Sequence, residues 1–140
     1  MPRPHLFQPL LKREPRCHRL VNRTRGLVLA KRVEPAFDSQ TRRTGLLGRG
    51  GLPHDTVLAI APSNAIHTFG MRFPIDVLFI NRSGTVVKRV LALEPRRASA
   101  AIRAFAVLEF GAGHPMVRET HVGDQLTVEE ADEGHGPRPD

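Results

Sequence analysis

The sequence predicts an α+β fold: a compact single domain with a strongly twisted, mostly antiparallel sheet or small barrel, and one or two short helices. Three observations lead there. Six or seven short apolar runs are separated by Gly, Pro, Asn and Ser turn signals. Only one segment, after Asp38-Ser39, carries both a helix start and a helix stop. Most links between the runs are too short for parallel crossovers, which need about a dozen residues or more.

Taken in order, residues 1 to 17 are Pro-rich, basic and aperiodic, and read as a flexible tail. Residues 18 to 131 hold the globular domain, and residues 132 to 140 form a polar tail. Leu20-Val21 and Leu27 to Val33 are strand-like around the Arg25-Gly26 turn, and Pro35 ends the second or places it at an edge. Asp38 caps a helix over Gln40 to Leu47, with Gly48 as its stop. Thr56 to Ala61 is a strand. Ile75 to Ile80 pairs with Thr85 to Leu93 through Asn81-Arg82-Ser83-Gly84, a hairpin signal. Phe105 to Phe110 is a further strand, Met116 to His121 a helical turn, and Gln125 to Glu129 an edge strand.

The chain has 140 residues, enough for one real core. No run approaches the roughly 20 apolar residues of a membrane helix. The prolines near Met1 interrupt any signal-peptide pattern, so the protein reads as cytoplasmic. Cys17 is the single cysteine, which rules out an internal disulfide and a cysteine metal cluster. Net charge is +7, with residues 1 to 50 at +9 and the remainder at −2. A basic third invites an acidic partner or nucleic acid. The arginines are scattered, however, without interleaved aromatics or a basic helical stripe, so nucleic-acid binding ranks last.

The chemistry concentrates in Ala65 to Asn81. Asp76 lies in an apolar strand that reads as buried on both faces, where a lone carboxylate costs several kcal/mol unless paired or hydrogen-bonded. It is either a site acid or a structural anchor for the turn before it, through backbone N–H groups or Arg72. Glu109 poses the same question in the strand that follows. Were the two strands neighbours, the carboxylates could form an acid–base pair, or Arg42 or Arg43 from the helix could neutralise them. His67 and Thr68 stand at the mouth of the central strand. Met71 and Arg72 follow the flexible Gly70 and precede the stiff Pro74, an arrangement that suits an anion held by Arg72. Asp76, Glu109 and His114 would have to join His67 around a metal, but their spacing matches no metal motif. The Gly50-Gly51 loop lacks the following Gly-Lys-Ser or Gly-Lys-Thr of a P-loop, and no Gly-x-Ser-x-Gly elbow occurs. No metal or cofactor is therefore assigned.

Several segments together resemble one family: Arg42-Arg43-Thr44-Gly45-Leu46-Leu47, Pro74-Ile75-Asp76 with its apolar strand, Asn81-Arg82-Ser83-Gly84 with Val86-Val87, Val107-Leu108-Glu109 with Gly111 and Gly113, and Val122-Gly123-Asp124. In order and spacing, from Leu27 to Glu129, they resemble the domain of unknown function 192 family (DUF192) of small bacterial and archaeal proteins. The resemblance implies a compact α+β domain on a curved sheet and no established activity. Where many members carry Trp-Met-Lys-Asn-Thr, this chain has His67-Thr68-Phe69-Gly70-Met71, so no role of that Lys or Asn carries over. The secretory leader of many members is also missing from the sequence, so localisation is not inherited.

Two functional expectations follow. The first is a domain binding a small anionic ligand or a partner at the Ile66 to Asp76 turn, through His67, Thr68, Met71, Arg72 and Asp76. The second is an enzyme using Asp76, Glu109 and His67 for acid–base chemistry on a small anionic substrate. They separate on geometry: an enzyme needs His67 and a carboxylate converging on an open pocket.

Overall fold

The computed structural model describes residues 4–11 and 17–131. Its strands are β1 (Cys17–Asn22), β2 (Leu27–Ala30), β3 (Arg32–Ala36), β4 (Thr56–Ile60), β5 (Ala65–His67), β6 (Ile75–Ile80), β7 (Val86–Leu93), β8 (Ala98–Ala100), β9 (Ala106–Gly111) and β10 (Leu126–Ala131). Two short helices, α1 (Ser39–Thr44) and α2 (Pro115–Arg118), lie between them. The main sheet runs β3-β4-β9-β6-β7. Smaller sheets run β10-β1-β2 and β5-β8. The sheets are mostly antiparallel and the main one keeps two edges, so the barrel alternative is not realised.

Burial explains this order. β4, β6 and β9 are buried at every position, and they occupy the three central places. Near-continuous apolar runs belong where both faces of a strand are covered. One face packs Leu78, Ile80, Leu108 and Phe110 against Leu20, Leu29, Leu126 and Val128 of the β10-β1-β2 sheet. The other packs Val77, Phe79, Val107 and Ile60 against Leu46, Leu52 and Met71. Asp76 and Glu109 interrupt these runs and lie on opposite faces, as described below.

The hairpin signal yields β6 and β7. The Asn81 side chain accepts from the N–H of Ser83 and Thr85 at 3.1 and 2.9 Å. Gly84 has φ of 92°, and the Leu126 carbonyl fills the space a Cβ would take. Only glycine fits there. Pro35 sits on β3, an edge strand, where its missing N–H costs nothing.

Four sequence expectations change. The Leu27 to Val33 run splits into β2 and β3, because Lys31 and Arg32 both donate to the Asp55 carbonyl and the chain changes sheet there. β3 and β4 pair in parallel, and α1 lies in the long crossover between them. α1 ends at Thr44, three residues before the expected Leu47: the N–H of Gly45, at φ of 48°, donates to the Thr41 carbonyl and closes the helix. Its start is as read, with Asp38 accepting from the Thr41 N–H at 2.7 Å. The fourth change concerns the tail over residues 1 to 17. Within it Phe7 is fully buried in the core, 5.4 Å from the Phe37 ring, and the Leu6 N–H donates to the Arg82 carbonyl. Residues 12–16 and the expected polar tail at 132–140 lie outside the described residues. No helix among the described residues is long and apolar enough to cross a membrane.

Candidate functional site

β6 and β9 are antiparallel neighbours, and their register decides where the two carboxylates go. Val77 pairs with Glu109, and Asp76 pairs with Phe110. Directly opposed residues share a face and successive residues alternate. Glu109 therefore stands on the face under α1, while Asp76 stands on the face covered by β1 and β2. The expected carboxylate pair does not form.

Asp76 is fully buried and its oxygens are taken. Oδ1 accepts from the Ala92 N–H at 2.8 Å, and Oδ2 accepts from the N–H groups of Gly113 and His114 at 3.1 Å each. This ties β6 to the irregular stretch of β7 and to the turn before α2. Arg72 plays no part, being exposed and making no ion pair with Asp76. The anchoring alternative for Asp76 is thus the geometry observed, with backbone donors in place of Arg72. His114 caps α2 next door, its Nδ1 accepting from Met116 and Val117, and burial lowers its pKa.

Glu109 is equally enclosed but differs in its partners. It is 4% exposed, and its Oε2 has no hydrogen-bond partner. Burial among apolar side chains pushes its pKa up to about 7, against the opposing pull of the Arg49 guanidinium. Arg49 itself is ion-paired with Glu34 at 2.9 Å, leaving Glu109 without a direct partner. A buried polar atom left without a partner is uncommon in folded proteins and calls for a reason.

Glu109 lines a groove of about 340 Å³ between the α1 segment and the β4–β5 connection. That volume falls at the lower end of the roughly 300–1,000 Å³ of ligand pockets. The apolar part of the lining is Leu46, Ile60, Ile66 and Met71. The polar part includes Arg42, Arg43, Ser39, Ser63 and His67. Arg42 donates one arm to the Phe37 carbonyl at 2.6 Å, and Arg43 donates Nε to the Ser39 carbonyl at 3.2 Å. These bonds anchor both guanidinium groups, and neither forms an ion pair among the described residues. His67 is exposed, with its ring 5.6 Å from the Phe69 ring, and has no hydrogen-bond partner among the described residues.

Of the residues the sequence singled out, His67, Met71 and Glu109 come together in this groove. Thr68, Arg72 and Asp76 do not line it. Thr68 is fully buried; its hydroxyl donates to the Glu94 carbonyl at 2.6 Å and accepts from the Arg97 N–H at 2.9 Å. It fastens the turn to the β7–β8 loop. Sequence reasoning named Arg42 and Arg43 only as possible neutralisers of the carboxylates and not as groove residues, although the Asp38 cap and the Gly48 stop already placed them on one short helix.

Comparison with known proteins follows the same fold. The chain matches the DUF192 family model, described as an uncharacterized ACR, over residues 20–128. A crystal structure from Sinorhizobium meliloti 1021, described as a candidate transcription regulator, is similar at 24% identity and a TM-score of 0.67, covering 81% of this chain and 91% of that one. A protein of unknown function from Novosphingobium aromaticivorans DSM 12444 is similar at 20% identity and a TM-score of 0.66, covering 78% and 81%. At such identities the likeness concerns the fold. A search of the curated proteins finds no match.

Proposed function

This chain belongs to the DUF192 family, and we propose that it is a small-ligand-binding domain whose ligand is a small organic anion seated in the α1–β5 groove. One observation carries the reading: a buried, unpartnered Glu109 carboxyl in one groove with two arginines that form no ion pair among the described residues. Arg42 and Arg43 offer N–H groups in a planar fork suited to a carboxylate or phosphate. Their backbone anchors reduce the entropy lost when an anion binds. Leu46, Ile60, Ile66 and Met71 supply apolar surface for the body of such a molecule. His67 and Met71 keep the binding role expected from the sequence, while Asp76 and Thr68 hold the scaffold.

A second reading rests on the raised pKa of Glu109, which suits a general acid or base near neutral pH. His67 lines the same groove, but no group among the described residues orients its ring, and Glu109 makes no hydrogen bond to it. Binding therefore ranks ahead of catalysis.

Titration with phosphate and simple carboxylates, followed by backbone amide shifts, tests the binding reading. Shifts are expected over Ser39 to Leu46, Ser63 to His67 and around Glu109. Shifts spread over the other arginines, or none at the groove, would overturn it.

A further inference from the structure

Glu109 presents the groove with an acceptor that the protein itself leaves unused. A ligand that is only an anion satisfies Arg42 and Arg43 and leaves this carboxyl unserved, or protonated. A ligand that also brings a cationic N–H donor removes both problems. Such a donor hydrogen-bonds the Glu109 carboxyl and offsets the cost of holding a carboxylate away from water. We propose that the ligand is a small zwitterion with an aliphatic body, its ammonium on Glu109 and its carboxylate on Arg42 and Arg43. This rests on the groove reading above and names the ligand class.

The lining supports each part. The apolar side chains Leu46, Ile60, Ile66 and Met71 suit a short aliphatic chain, and a groove of about 340 Å³ admits a molecule of free amino-acid size. Opposite charges at separate places in one groove fix the orientation of a molecule that carries both. The other titratable groups around the groove are His67 from β5, Arg49 from the loop after α1 and Asp38 at the start of α1, which is exposed and already accepts from the Thr41 N–H. Arg49 is held by Glu34, and Asp76 lies on the opposite face of the sheet. Glu109 is thus the acidic group placed to receive an ammonium. Its pKa of about 7 adds a signature. An ammonium ligand favours the ionised carboxylate, so its affinity rises between pH 6 and 8.

Four aliphatic amino acids (alanine, valine, leucine and methionine) serve as probes, each matched with the carboxylic acid lacking its amine and with the corresponding 2-hydroxy acid. The best amino acid is expected to bind at least about tenfold tighter than both analogues, as a charge-assisted hydrogen bond provides. Glu109→Gln, which keeps the side-chain shape, should bring that ratio close to one and abolish its rise with pH. Equal binding of an amino acid and its deaminated partner would overturn the zwitterion while leaving the groove reading intact. A ratio unchanged in Glu109→Gln would overturn it as well. If no probe of any class shifts the groove amides, both the zwitterion and the groove reading fail.

Discussion

Removing the Asp76 carboxylate should uncouple three segments at once. In Asp76→Ala, the N–H groups of Ala92, Gly113 and His114 all lose their acceptor. They are not equal. The His114 bond is buried, so its orphaned donor incurs the full penalty of about 1–3 kcal/mol. The Ala92 and Gly113 bonds are only partly buried, and water can replace the carboxylate there, leaving about 0.5–1 kcal/mol each. Ala92 also sits at φ of 52°, a conformation unfavourable for a residue with a Cβ and held here by that bond. The sum is about 2–5 kcal/mol. With a urea slope of about 2 kcal/mol per molar, the midpoint falls by about 1–2.5 M. Asp76→Asn should rescue little. Its amide nitrogen must face a donor on one side or the other, the Ala92 N–H at the least, so one side of the anchor is lost in either orientation. An unchanged midpoint for Ala, or wild-type stability for Asn, would show that Asp76 is not the anchor described.

The remaining predictions concern Glu109 and the amino-terminal segment. The folded pKa of Glu109, about 7, lies above its ordinary value of 4.5, so the folded state holds a proton that the unfolded state has lost. Its contribution is therefore fully present below about pH 4.5 and is lost as pH rises through about 7, on the order of 3 kcal/mol. Glu109→Gln should lack this decline, seen as a wild-type minus variant difference in urea melts from pH 5 to 8; parallel curves would contradict the burial. Phe7→Ala should lower stability by about 2–3 kcal/mol, less than a Phe deletion deep in a core, because a terminal segment can undock alone. An unchanged thermal midpoint would restore the tail reading at that position.

Sequence legibility followed the range of the interactions involved. The hairpin of β6 and β7 was readable because its signal is local: Asn81 to Gly84 between two apolar runs. The Asp38 cap was readable for the same reason. Asp76 stood out because a carboxylate in a doubly covered strand must find donors, although nothing local named Ala92, Gly113 and His114. The relation between Asp76 and Glu109 was hidden. It turns on the register of β6 against β9, and a slip of one residue would exchange the faces. Some 25 residues of intervening chain leave that register open in the sequence. Arg42 and Arg43 reach the groove only because β3 and β4 pair in parallel, which carries α1 over the sheet. Phe7 gave no periodic signal, since one aromatic in a Pro-rich stretch looks the same docked or free.

The binding reading stands on one side chain, so the titration of Glu109 itself is the measurement that bears on it most directly. Carbon-13 labelling of glutamate, with the Glu109 carboxyl resonance assigned by its loss in Glu109→Gln, follows the group alone in the unliganded protein. A midpoint near 7 is expected for a buried carboxyl without a partner. A midpoint near 4.5, the ordinary value, would mean that water or a fixed donor already serves Glu109 and that the groove holds no unused acceptor for a ligand.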